Sequence, residues 1–79
     1  MRRDWHVDTD GFIRGVAINR SRRPLAYAQI EFRLLNQRHA QVDTTMCNTT
    51  HLETNQEWDF ECPYLKTFYS AQLIKATGW

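Results

Sequence analysis

Ile30-Glu31-Phe32-Arg33-Leu34-Leu35-Asn36 alternates large apolar with charged side chains and then stops at an asparagine. Successive side chains of an extended strand point to opposite faces. This run therefore sends Ile30, Phe32 and Leu34 into an interior and Glu31 and Arg33 into water. It reads as a half-buried strand ending in a turn, which makes the chain a sheet protein.

The neighbouring segments repeat that logic at short intervals. Trp5-His6-Val7 alternates ahead of Asp8-Thr9-Asp10-Gly11, whose glycine suits positive φ, so a short first strand and a turn are expected. From Phe12 to Asn19, the residues Ile13, Gly15, Ala17 and Asn19 share one face, while Phe12, Arg14, Val16 and Ile18 share the other. Arg20-Ser21-Arg22-Arg23-Pro24 breaks the pattern, because proline cannot donate to a ladder, and predicts a loop with a basic tip. A long strand over Leu25 to Leu35 follows, then a turn at Asn36-Gln37-Arg38-His39 and a strand on which Val42, Thr44 and Met46 alternate up to Thr50. These three strands are expected to form a meander.

Leu52 to Glu57 reads as a polar connection in which Asn55 tolerates a left-handed turn conformation. Trp58, Phe60 and Cys62 then share a face of a strand that Pro63 ends. Thr67 to Ala76 fits both a strand, through Tyr69, Ala71 and Leu73, and a helical face. Strand is chosen because every earlier element is one. Short, regularly spaced strands with turn chemistry between them give an all-β sandwich or small barrel, read as one domain over residues 1–79.

The 79 residues limit the size of the core, and a net charge of +1 creates no field that would draw in nucleic acid or an anionic membrane. Apolar runs such as Val16-Ala17-Ile18 are far short of the roughly 20 residues needed to span a bilayer. The basic start at Arg2-Arg3 has no apolar stretch behind it, so no secretory signal is expected in this chain.

Gly15-Val16-Ala17-Ile18-Asn19 resembles the Gly-x-Val-x-Asn strand of the FxLYD domain family, with Ala17 in place of the usual valine. Phe32-Arg33-Leu34-Leu35-Asn36 resembles that family's name-giving strand, with Leu35 for tyrosine and Asn36 for aspartate. Leu52 through Phe60 resembles its later segment, keeping Glu57, Trp58 and Phe60 but replacing the Pro-Gly turn by Thr54-Asn55. The resemblance spans about Ile13 to Phe60 and implies an immunoglobulin-like β-sandwich of about 6–7 antiparallel strands. It also implies a non-catalytic interaction or spacer module of exported or cell-envelope proteins. No catalytic residue or cofactor comes with it, and the partner would be an unidentified protein or a neighbouring domain.

Two cysteines, Cys47 and Cys62, invite a disulfide. If their strands pair as a hairpin centred near Thr54, Cys47 falls close to Cys62, yet strict alternation puts the two on different faces and would require a bulge. A bridge and two buried free thiols both stay open. The same cysteines with His6, His39 and His51 show no ligand spacing of a compact metal site. Neither cysteine stands in a cation cluster or at a helix start that would activate it as a nucleophile.

Arg20, Arg22 and Arg23, with Arg2 and Arg3, could form a basic patch beside exposed aromatics such as Trp5 or Tyr27, a pattern suited to single-stranded nucleic acid or carbohydrate. The competing reading is a solvated hairpin tip that keeps a sheet end soluble. Trp58 and Phe60 are taken as core rather than as a ligand shelf. Asn19-Arg20-Ser21 and Asn48-Thr49-Thr50 match the glycosylation acceptor pattern and are discounted as chance matches.

Overall fold

The alternating run sits at the centre of the molecule. The computed structural model describes residues 2–79, with side chains from Asp4 onward. Its strands are β1 (Arg2–Val7), β2 (Phe12–Ile18), β3 (Leu25–Leu35), β4 (Gln41–Leu52), β5 (Glu57–Pro63) and β6 (Ser70–Gly78). They form two antiparallel three-stranded sheets, ordered β1-β2-β5 and β4-β3-β6. The last segment is a strand as expected, but it runs Ser70–Gly78 and leaves Thr67, Phe68 and Tyr69 in the preceding loop, and no helix among the described residues is long and apolar enough to cross a membrane.

The expected meander does not form. β2 pairs with β1 and β5, and the chain crosses between Ile18 and Leu25 into the other sheet, so β2 and β3 lie in different layers. The β4–β5 hairpin fails for the same reason: the turn at Glu53 to Gln56 carries the chain back across the sandwich instead of folding it flat. Alternation reports which face a side chain takes but not which strand lies beside it, so both pairings were outside its reach.

Ile30, Phe32 and Leu34 are completely buried and meet Ile13, Ala17, Phe60 and Cys62 from the facing sheet. Phe32 lies 6.2 Å from Phe60 and packs edge-on against Trp5 at 4.8 Å, so an aromatic stack runs through both layers. Gly15 makes room for it. Its register partners are Trp5 and Phe60, and a side chain at this position would run into the Asp4 carbonyl and the Phe60 ring.

Two bulges re-aim edge residues. One, where Leu34 and Leu35 oppose Asp43 and Gln41, turns Val42 onto the core while Thr44 and Met46 face solvent, so these three do not share a face. The other, where Glu31 and Phe32 oppose Lys75 and Leu73, leaves Ile74 unpaired on β6.

Candidate functional site

The two ends of the sandwich differ in chemistry. At one end lie the β2–β3 crossing, the β4–β5 turn and the last residue of the chain. Asn19, the last residue before the crossing loop, is fully buried. Its amide nitrogen donates to the carbonyls of Arg23 and Leu52 at 3.1 and 3.0 Å, and its amide oxygen accepts from Ser21 N and Ser21 Oγ. Its backbone accepts from Asn55 N and donates to the Gln56 carbonyl. Every polar group of the side chain is used, and the crossing loop and the neighbouring turn are tied together. A buried, fully bonded amide is no acceptor for a glycan, whereas Asn48 is exposed.

Arg20, Arg22 and Arg23 are exposed on that loop, and Arg20 reaches Asn55 Oδ1 at 3.5 Å. The side chains of Arg2 and Arg3, the other half of the expected basic patch, lie outside the described residues. Tyr27 is half-buried, donates its hydroxyl to Gln29 and packs against Trp79 with ring centroids 4.7 Å apart and planes tilted by 48°, with Trp79 58% exposed. Trp5 is not part of this surface. It is half-buried against Phe32, because the inward parity of β1 outweighs its place near the chain start. Trp58 leans on Phe60 at 5.8 Å and packs against the core.

Cys47 and Cys62 are bonded to each other across the two sheets, with their Cα atoms 5.0 Å apart. The hairpin objection vanishes because β4 and β5 face one another: both cysteines need only point inward, and each does. The Thr45 hydroxyl donates to the Pro63 carbonyl along the same side, so this edge of the sandwich is fastened twice. No group of three or more His, Cys, Asp or Glu able to hold a metal ion is found among the described residues.

The opposite end carries an exposed apolar loop between two polar turns, a feature the sequence reading passed over. Pro63 ends β5, and the loop from Tyr64 to Tyr69 is pinned at both ends. Tyr64 N donates to the Gly11 carbonyl, the Tyr64 hydroxyl donates to the Asp8 carbonyl, and Tyr69 N donates to the Leu35 carbonyl. Tyr64 and Phe68 pack edge-on at 4.8 Å inside the loop. Leu65 projects from it 97% exposed, with Tyr69 at 65% and Val7 of β1 at 42%. Hollows lie on both sides of Phe68 and Tyr69. One of about 530 Å3 faces Asn36, Gln37 and Arg38, and one of about 400 Å3 faces Val7, Asp8 and Thr9. The signal available in the sequence was Tyr64-Leu65 directly after a strand-ending proline, a place where apolar residues have no strand to bury them.

Beside this end a charged cluster braces the outer face of β2. Arg14 donates to Asp8, Asp10 and Glu61 at 2.7, 2.9 and 2.8 Å, and its guanidinium lies over the Phe12 ring. The hydrogen bond from Arg14 holds the Asp8 carboxyl below its usual range, aided by His6 at 3.1 Å, and the three carboxylates raise Arg14 further above its already high value. One guanidinium faces three carboxylates, so the cluster keeps net negative charge, and it clips the β1–β2 turn to β5. Asn36 does similar work in the β3–β4 turn, where its side-chain oxygen accepts from Arg38 N and Ala40 N while His39 takes positive φ. Comparison with family models, with curated proteins and with solved structures gives no match.

Proposed function

We propose that this chain is a non-catalytic recognition module that binds a protein partner through its exposed apolar loop. The observation that carries this reading is the loop from Tyr64 to Tyr69, hydrogen-bonded at both ends yet holding Leu65 almost wholly in water, with Phe68 and Tyr69 of the same loop lining both hollows. A pinned loop loses little further freedom on docking, and exposed leucine and tyrosine side chains beside concave surface are the raw material of an interface centre. The strand order β1-β2-β5 facing β4-β3-β6 supports the immunoglobulin-like reading, since it corresponds to strands A, B and E facing C′, C and F. The FxLYD resemblance fits such a module. The inter-sheet disulfide favours an oxidising compartment and so supports a place at the cell envelope.

The reading is tested by placing a photo-crosslinking amino acid at position 65 and, separately, at position 22, in the protein expressed in its native host. A discrete adduct from position 65, lost when Tyr69→Ser is added, is expected. Adducts absent from 65, or equal from both positions, contradict it.

A second reading has its own observation. Three exposed arginines share an end with the Tyr27–Trp79 pair, an arrangement suited to a single-stranded nucleic acid or a glycan. Tryptophan emission that shifts on adding an oligonucleotide, less at high salt, would favour the former, and a salt-insensitive shift on adding an oligosaccharide the latter. No shift with either removes both.

A further inference from the structure

The sandwich is closed on one side and open on the other. Between β4 and β5 run the disulfide and the Thr45 bond to Pro63, whereas between β1 and β6 no disulfide, side-chain hydrogen bond or salt bridge is found among the described residues. β6 therefore ends its sheet with a bare edge.

The direction of its free groups follows from the ladder. Tyr27 and Trp79 exchange both backbone hydrogen bonds at 3.0 Å, and hydrogen-bonded pairs alternate along an antiparallel ladder. Gln29 with Thr77 and Glu31 with Lys75 continue that set, so Gly78 and Ala76 turn their N–H and C=O groups away from β3 toward the open side. Other edges are guarded. β5 carries Glu57, Asp59, Glu61 and Pro63, β1 carries Arg2, Arg3 and Asp4, and β4 is fastened to β5, while β6 has Lys75 as its single charge. Its inward residues are Ala71, Leu73 and Ala76, and at its start the seam widens into the hollow of about 400 Å3 between Val7 and Phe68.

We propose that the β6 edge accepts an extended segment of a partner polypeptide as an added strand, with an apolar side chain of that segment seated in the hollow between Val7 and Phe68. Unpaired backbone donors and acceptors in strand spacing are matched by another extended backbone, and Lys75 selects a carboxylate on the incoming strand. This rests on the recognition reading above and specifies the partner as a polypeptide presenting a free strand with alternating apolar residues.

The test appends Thr-Asn-Gly and the strand Val-Thr-Val-Thr-Val-Glu after Trp79, so that the turn closes on the next outward-facing position and the local concentration of a matching strand rises without need of the natural partner. Amide exchange at Gly78 is followed by NMR in the parent and extended chains, each with and without Ala76→Pro. Proline at 76 removes an N–H that does not face β3, so the melting temperature should hold while acceptance is lost. Exchange at Gly78 is expected to slow at least about tenfold in the extended chain and not in its Ala76→Pro version. Equal exchange with and without the extension overturns the proposal. Protection in the unextended parent that rises with protein concentration assigns the edge to a second copy and overturns the partner assignment. Failure of the crosslink at position 65 would leave these outcomes unaffected, so the two readings fall separately.

Discussion

Asn19 occupies the position where the chain leaves one sheet for the other, and its side chain satisfies the carbonyls of Arg23 and Leu52 that the crossing would otherwise bury unpaired. Truncation leaves orphaned polar groups rather than a simple gap. Asn19→Ala is expected to lower unfolding free energy by about 2–3 kcal/mol in urea denaturation. A loss comparable with that of an exposed substitution such as Asn48→Ala would contradict the role given to it. Charge acts at the same scale through Asp8, whose folded pKa is depressed below 3.8, chiefly by the hydrogen bond from Arg14. A depressed carboxyl contributes stability that is full above its unfolded value and disappears as pH falls through the folded one. Stability should therefore decline on the acid side of about pH 4. Arg14→Met should make that decline shallower in denaturation midpoints followed across the acid range, and an unchanged slope would remove Asp8 from the account.

β4 and β5 show what a pair of elements adds. Facing rather than pairing, they let Cys47 and Cys62 meet with both strands in register, and the bridge closes a loop over a separation of 15 residues. In the chain-entropy model such a link stabilises by roughly 3 kcal/mol, a large share of the total for a small domain. The Cys47→Ala, Cys62→Ala double variant should lose about that much in denaturation while retaining its β-sheet circular dichroism. A midpoint unmoved by the double substitution would mean that packing alone holds these strands. Period-two alternation located β3 from Leu25 to Leu35 and the turn chemistry of Asn36 and Asn55, because both depend on a few adjacent residues. The crossings at Asn19 and Asn55 were not legible, since choosing a neighbour depends on contacts distant in sequence. The apolar loop after Pro63 was not legible because Tyr64 and Leu65 belong to no period and Tyr69 continues the alternation of β6 without joining it.

The whole molecule is two thin sheets around one aromatic stack, fastened along one side, open along the other, and unlike at its two ends. The surfaces proposed for binding follow from that asymmetry: an apolar loop that no strand covers, an arginine and aromatic end, and a bare edge on β6. All of them depend on β2 and β3 lying in different layers. If they were neighbours in one sheet, Trp5 could not reach Phe32 from the opposite face, and β6 would not border a seam. The most direct test is a set of long-range NOEs on the uniformly labelled protein. Backbone contacts joining Gly15 to Phe60 and Ala17 to Trp58, together with Trp5 ring contacts to Phe32, are expected. Backbone ladder contacts between β2 and β3, with the Gly15–Phe60 contact missing, would contradict the account.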